Sequence, residues 1–173
     1  MEEIKAIVEA LVFASDVPLS VDRIGELLPG SEKGEIRRLL EELAGEYGER
    51  KGGIDLQPVA GGYQFRTRAD LGPWVKRLRA GKPAGLSPAA METLAVVAYR
   101  QPVVKGDIDR FRGVDVSGSL RGLLDKKLVR IVGRKDVPGK PILYGTTKKF
   151  LEVFNLKDLA ELPTLREFQE LQE

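Results

Sequence analysis

Apolar residues recur at helical spacing at Ile4, Ile7, Val8, Leu11 and Val12, then at Ile24, Leu27 and Leu28, and again at Ile36, Leu39, Leu40 and Leu43. Each set draws the stripe by which a helix buries one face. Ser20 and Ser31 stand just before the second and third sets, where a hydroxyl caps a helix start. The period then falls to two. Ile54 and Leu56 alternate with polar neighbours, Gly61-Gly62 supplies a tight turn, and Tyr63 and Phe65 alternate again, which predicts a β-hairpin. A short helix around Trp74 follows. Beyond it, residues 78–86 read Leu-Arg-Ala-Gly-Lys-Pro-Ala-Gly-Leu, the composition of a linker.

Past the linker the pattern runs a second time. Ser87-Pro88 caps and starts a helix through Tyr99, residues 105–111 form another, residues 116–126 a third, and residues 128–132 pair with 142–146. Pro18, Ile24 and Leu39 recur as Pro102, Ile108 and Leu123 at a constant offset of 84 residues, and Tyr63 and Trp74 recur as Tyr144 and Phe154 at 81 and 80. This is the mark of an internal duplication. Three helices and then a hairpin make a winged helix, a helix-turn-helix variant in which the third helix is the one that enters a DNA groove. The expected fold is therefore α+β and mainly helical, with two tandem winged-helix domains. Residues 1–80 form the first, 81–86 link, 87–155 form the second, and 156–173 make a C-terminal tail. In that tail Leu165, Phe168 and Leu171 recur at helical spacing behind a Thr164–Glu167 capping box. It folds back on the second domain, stays disordered, or meets a partner.

The chain has neither cysteine nor histidine, which excludes disulfides, thiol or imidazole nucleophiles, zinc fingers and His-based metal sites. No nucleophile–base pair and no phosphate-loop spacing is found, so neither an enzymatic activity nor a cofactor is expected. No stretch approaches the roughly 18 apolar residues of a membrane span. Glutamates stand at positions 2 and 3, where a secretion signal carries lysines, and the expected location is the cytoplasm.

The net charge of +2 conceals an uneven distribution. Residues 1–80 carry 12 basic and 14 acidic side chains, residues 81–155 carry 14 and 7, and residues 156–173 carry 2 and 5. The middle segment asks for an anionic partner. In the first domain, the third helix is rich in glutamate and would be repelled by DNA. In the second, Arg112, Arg121, Arg130, Arg134, Lys135 and Lys140 form a candidate basic surface, read with equal weight as a solvated loop or as a nucleic-acid contact. Tyr99, Phe111 and Tyr144 occupy periodic apolar positions and are expected in the core. Only Arg121 is placed for a bidentate guanine contact, so DNA binding is expected to be weak, salt-sensitive and blind to sequence.

Several runs together resemble the segregation and condensation protein B family. They include Leu86-Ser-Pro-Ala-Ala-Met-Glu-Thr-Leu-Ala-Val-Val-Ala-Tyr-Arg-Gln-Pro-Val103, Arg112-Gly-Val-Asp115, Leu120-Arg-Gly-Leu-Leu124 and Gly133-Arg-Lys-Asp136. Pro138-Gly-Lys-Pro141, Tyr144-Gly-Thr-Thr-Lys-Lys-Phe-Leu151, Glu9-Ala-Leu-Val-Phe-Ala-Ser15 and Gly61-Gly-Tyr-Gln-Phe-Arg-Thr67 extend the resemblance over nearly the whole chain. Lys140 departs from it, standing where arginine is more usual. The resemblance implies a non-catalytic, nucleoid-associated chromosome-organisation factor of two winged helices. It would dimerise through the first and hold a kleisin, segregation and condensation protein A, which bridges the heads of a structural-maintenance-of-chromosomes ATPase. The rival reading is a winged-helix transcriptional regulator that binds DNA.

Overall fold

The computed structural model describes residues 2–78 and 85–164. Two units emerge, one made of residues up to 78 together with 155–164, the other of residues 85–154.

The first unit begins with α1 (Glu2–Ala14), α2 (Val21–Leu27) and α3 (Lys33–Glu49). Ser20 caps α2, its hydroxyl accepting from the Arg23 N–H at 3.2 Å. The start of α3 lies one residue later than expected: Glu32, not Ser31, is the cap residue, and its side chain makes no capping bond. Val8 and Val12 of α1, Ile24 of α2, and Ile36, Leu40 and Leu43 of α3 close one core with Leu56. Above it, the Tyr47 ring meets Phe65 edge-on at 4.8 Å, and the Tyr47 hydroxyl donates to Glu9.

The hairpin follows as β1 (Ile54–Val59) and β2 (Gly62–Thr67), antiparallel with Val59 opposite Gly62. The turn is thus Ala60-Gly61 rather than Gly61-Gly62, and both turn residues have positive φ, 51° and 74°. That is the backbone of a type I′ turn, whose twist matches the strands it joins. Gly62 is needed for another reason: a Cβ there would lie 2.7 Å from the carbonyl carbon of Leu19 and 2.8 Å from its oxygen. Leu19 pairs with Tyr63 as a one-residue third strand, with backbone bonds of 2.9 Å in both directions. Because backbone cannot yield as a side-chain tip can, Gly62→Ala should cost the first unit about 1–3 kcal/mol. Urea denaturation would show it, and an unchanged midpoint would mean the Leu19 contact relaxes freely. A 3-10 turn (Ala69–Leu71) and α4 (Gly72–Leu78) end this stretch.

The second unit repeats the plan with α5 (Pro88–Arg100), β3 (Val103–Val104), α6 (Lys105–Arg112), α7 (Ser117–Asp125), β4 (Val129–Arg134), β5 (Ile142–Thr146) and α8 (Lys148–Phe154). Ser87 caps α5 and Pro88 opens it. The sheet order is β3-β5-β4, with Val103 opposite Tyr144. Leu19–Tyr63 and Val103–Tyr144 are the same pairing in the two copies, so the duplication reaches the hydrogen-bond register. Leu94, Val97, Ile108, Leu120, Leu123 and Val129 are the buried centre of this unit. Both units are winged helices.

The chain after α8 departs from expectation. Residues 155–164 join the first unit, not the second. The outward N–H groups of the Ala60-Gly61 turn donate to the carbonyls of Leu156 at 2.9 Å and Lys157 at 3.1 Å, while the Asn155 amide donates to the Gln57 side chain at 3.1 Å. A 3-10 turn (Leu159–Glu161) capped by Asp158 follows. The apolar tail positions Leu165, Phe168 and Leu171 lie outside the described residues.

Candidate partner-binding surface

The helix-turn-helix of the second unit is tied by one small polar network. Gly113, with φ of 68°, ends α6 in the left-handed conformation. The Asp109 carboxylate accepts from the Val116 N–H at 2.9 Å and from Lys105 Nζ at 2.7 Å. Lys105 also donates to Asp115, which accepts from the Ser117 hydroxyl at 2.8 Å. Lys105 beside them holds the Asp109 and Asp115 carboxyls below their ordinary value of 3.8, helped by the Val116 N–H and the Ser117 hydroxyl in turn. The two aspartates, Asp109 first, raise Lys105 above 10.5. Depressed carboxylates stabilise the fold above their unfolded value, and a raised lysine does so below its own. The network therefore contributes fully between about pH 4 and pH 10. Its contribution fades as acid carries the solution through the lowered carboxylate values. Asp109→Asn should remove part of that acid dependence from the unfolding of the second unit, as followed by circular dichroism between pH 2 and 5; an unchanged acid limb would show that other carboxylates set it.

This frame presents α7 and the wing. Arg121 on α7 and Arg130, Arg134, Lys135 and Lys140 on or beside the wing are exposed. Arg130 Nε donates to the Thr146 carbonyl at 3.2 Å, and Arg134 donates to the Lys140 carbonyl at 3.1 Å, closing the loop on itself. Arg112 does not belong with them. Its side chain is only 16% exposed and forms an ion pair with Glu92 of α5, leaving its Nε buried without a partner. An arginine that salt-bridges two packed helices has no charge to spare for phosphate.

Two aromatics expected in the core are outside it. Phe111 is 57% exposed with the Arg100 guanidinium 4.7 Å above its ring, and Tyr99 is exposed on α5. Tyr144 is half-buried on the central strand β5. Val114 in the turn between α6 and α7, and Ile131, Val132 and Val137 of the wing, are also exposed. β4 is an edge strand, buried only at Val129. A cavity of about 300 Å³ opens between the start of α5 and α7, where Ala90, Gly118, Ser119 and Gly122 leave room beside Lys126.

Cations interleaved with exposed aliphatic and aromatic groups suit a protein partner better than a duplex, because phosphates gain nothing from Ile131 or Phe111 while a protein surface buries them. Among the described residues no cluster of three or more acidic groups could hold a metal, and no helix is long and apolar enough to cross a membrane.

The family model for the segregation and condensation complex subunit ScpB matches residues 6–165. The chain belongs to this family. Segregation and condensation protein B of Syntrophotalea carbinolica is 50% identical over 169 residues, covering 98% of this chain and 85% of that protein. A segregation and condensation protein B homolog of Coxiella burnetii is 47% identical over 97% of this chain and 81% of its own length. Among solved structures, ScpB from Mycobacterium tuberculosis is 35% identical, over 90% of this chain and 96% of that one, with a TM-score of 0.43. Within the ScpB family frame, the surface of the second unit is the feature that residue composition alone describes least well. Its basic residues are visible in the sequence, whereas the exposure of Tyr99 and Phe111 is masked by their helical spacing.

Proposed function

We propose that this chain is a non-enzymatic subunit of a chromosome-organising complex that binds the kleisin, segregation and condensation protein A, as a homodimer. Through that kleisin it joins a structural-maintenance-of-chromosomes ATPase in the cytoplasm, at the nucleoid, and acts in chromosome condensation and segregation. The observation that carries the reading is the mixed apolar and cationic surface of the second unit, on a chain with no histidine, no cysteine and family membership in the ScpB group. Kleisin contact falls on that surface, with the tail residues Leu165, Phe168 and Leu171 as a second contact. Dimerisation falls on the first unit, where Phe13 and Val17 stand exposed and β1 offers an edge. Co-expression with the kleisin and mass measurement of the purified complex tests this. A stable assembly containing two copies of this chain is expected, and a kleisin that passes through without retaining it, or a monomeric mass at micromolar concentration, would overturn the respective half.

Duplex DNA is the secondary ligand. The exposed cations Arg121, Arg130, Arg134, Lys135 and Lys140 neutralise a few phosphates, consistent with non-specific binding at about 0.1 mM to 1 µM near physiological salt. Double charge reversal at Arg134 and Lys135 should weaken it and flatten its salt dependence without unfolding the unit. A footprint on one defined sequence that survives high salt would favour the transcriptional-regulator reading instead.

A further inference from the structure

The chain's single tryptophan stands on α4 with 65% of its surface exposed, and Leu78, one turn further along the same face, is 88% exposed. Arg77 stacks over the Trp74 ring at 4.7 Å. A Trp and a Leu aligned at i and i+4, with a guanidinium already seated on the indole, form a compact apolar patch edged by a cation. Arginine and tryptophan are the residues that anchor protein contacts most often. The patch is also electrically out of place. Residues 1–65 carry 7 basic and 13 acidic side chains, whereas residues 66–82 carry 6 and 1.

One segment of the same chain has the complementary chemistry. Residues 165–173 place Leu165, Phe168 and Leu171 on one stripe, and Glu167, Glu170 and Glu173 on the stripe next to it. Their starting point is fixed by the contacts of residues 155–157 with the β1–β2 turn, which put Thr164, the last described residue, on the first unit, the unit that also holds α4. The six-residue hairpin strands are about 20 Å long, with α4 following the end away from the turn. Seven residues from 158 to 164, three of them in a 3-10 turn, span at most on the order of 20 Å, the length of the hairpin that separates its turn from α4.

We propose that residues 165–173 dock on α4 of their own chain, seating Phe168 and its apolar stripe on Trp74 and Leu78 with glutamates of the tail against Arg77 and the basic stretch that holds α4. In this arrangement the tail has two alternative sites, α4 and the partner-binding role assigned to it above, so a partner that takes the tail uncovers the tryptophan.

Trp74 reports on this directly, because the chain has no other tryptophan to contribute emission. Acrylamide quenching is compared between the full chain, full-length Phe168→Glu/Leu171→Glu, and full-length Glu167→Lys/Glu170→Lys, across protein concentration and in low and 1 M salt. The expected result is a quenching constant about twofold higher in both variants, since a covered indole face loses about half its accessible area. High salt should raise it in the unaltered chain by screening the ion pairs. The difference should be independent of protein concentration. Equal quenching in all three proteins overturns the proposal. Protection that appears only as concentration rises also overturns it, by assigning the cover to a second copy. No kleisin is present, so either failure removes the docking of the tail and leaves the partner reading standing.

Discussion

Phe111→Asp together with Ile131→Asp is expected to lower kleisin affinity by about 30- to 1,000-fold, the 2–4 kcal/mol typical of central aromatic and aliphatic anchors. The second unit should meanwhile keep its stability within about 0.5 kcal/mol per site. The two outcomes separate because of where these side chains lie. Phe111 and Ile131 are 57% and 55% exposed, so neither contributes much to a core whose buried residues include Ile108, Leu120 and Leu123. Aspartate at both positions places a charge where an apolar contact is to be buried, and it must be desolvated without a partner. Isothermal titration with the purified kleisin, paired with a urea melt, reads both quantities. Undiminished affinity with an unaltered melt would move the kleisin contact off this surface. The wing variant Arg134→Glu/Lys135→Glu separates the ligands further: its effect on DNA should exceed its effect on kleisin, because the cations supply the phosphate contacts and only the rim of the protein contact.

Much of this fold is legible from periodicity, and the parts that are not share a physical cause. Helices α1, α3, α5 and α7 and both hairpins lie where stripes of period 3.6 and 2 place them, since each must bury one face. The two-residue strand β3 is not legible because two residues have no period, although the 84-residue offset that pairs Pro18 with Pro102 sets its counterpart Leu19 on Val103. Tyr99 and Phe111 show the limit of the argument in the other direction. The apolar stripe on α5 and α6 is wider than the face the core covers, and sequence records the stripe but not its cover. Arg112 was misplaced because its partner Glu92 lies twenty residues earlier and only packing brings the two helices together. The contact of residues 155–157 with the first hairpin was invisible for a stricter reason. Apart from the Asn155–Gln57 side-chain pair it is made by backbone N–H and carbonyl groups about a hundred residues apart, and these groups are common to every sequence.

Leu40→Ala should destabilise the first unit by about 2–5 kcal/mol, since Leu40 is fully buried in a core shared with Val8, Val12, Ile24 and Leu56 and its truncation leaves a cavity there. That is a large part of the 5–15 kcal/mol a domain of this size holds in total. Hydrogen exchange locates the damage. Amides of α3 and of β1 and β2 are expected to exchange at least about 30-fold faster, the factor that 2 kcal/mol produces when exchange follows unfolding of the unit. Helices α5 to α7, with a core of their own around Ile108 and Leu123, should keep their rates. The decisive reporters are the Ala60 and Gly61 amides, which donate to carbonyls that follow α8 in sequence but belong to the first unit in space. Leu40→Ala should expose them, and Ile108→Ala, an equally buried deletion in the second unit, should not. If Ile108→Ala instead released Ala60 and Gly61, the segment after α8 would be held energetically by the second unit, and the chain would unfold as one cooperative body rather than as a first winged helix completed by residues from beyond the second.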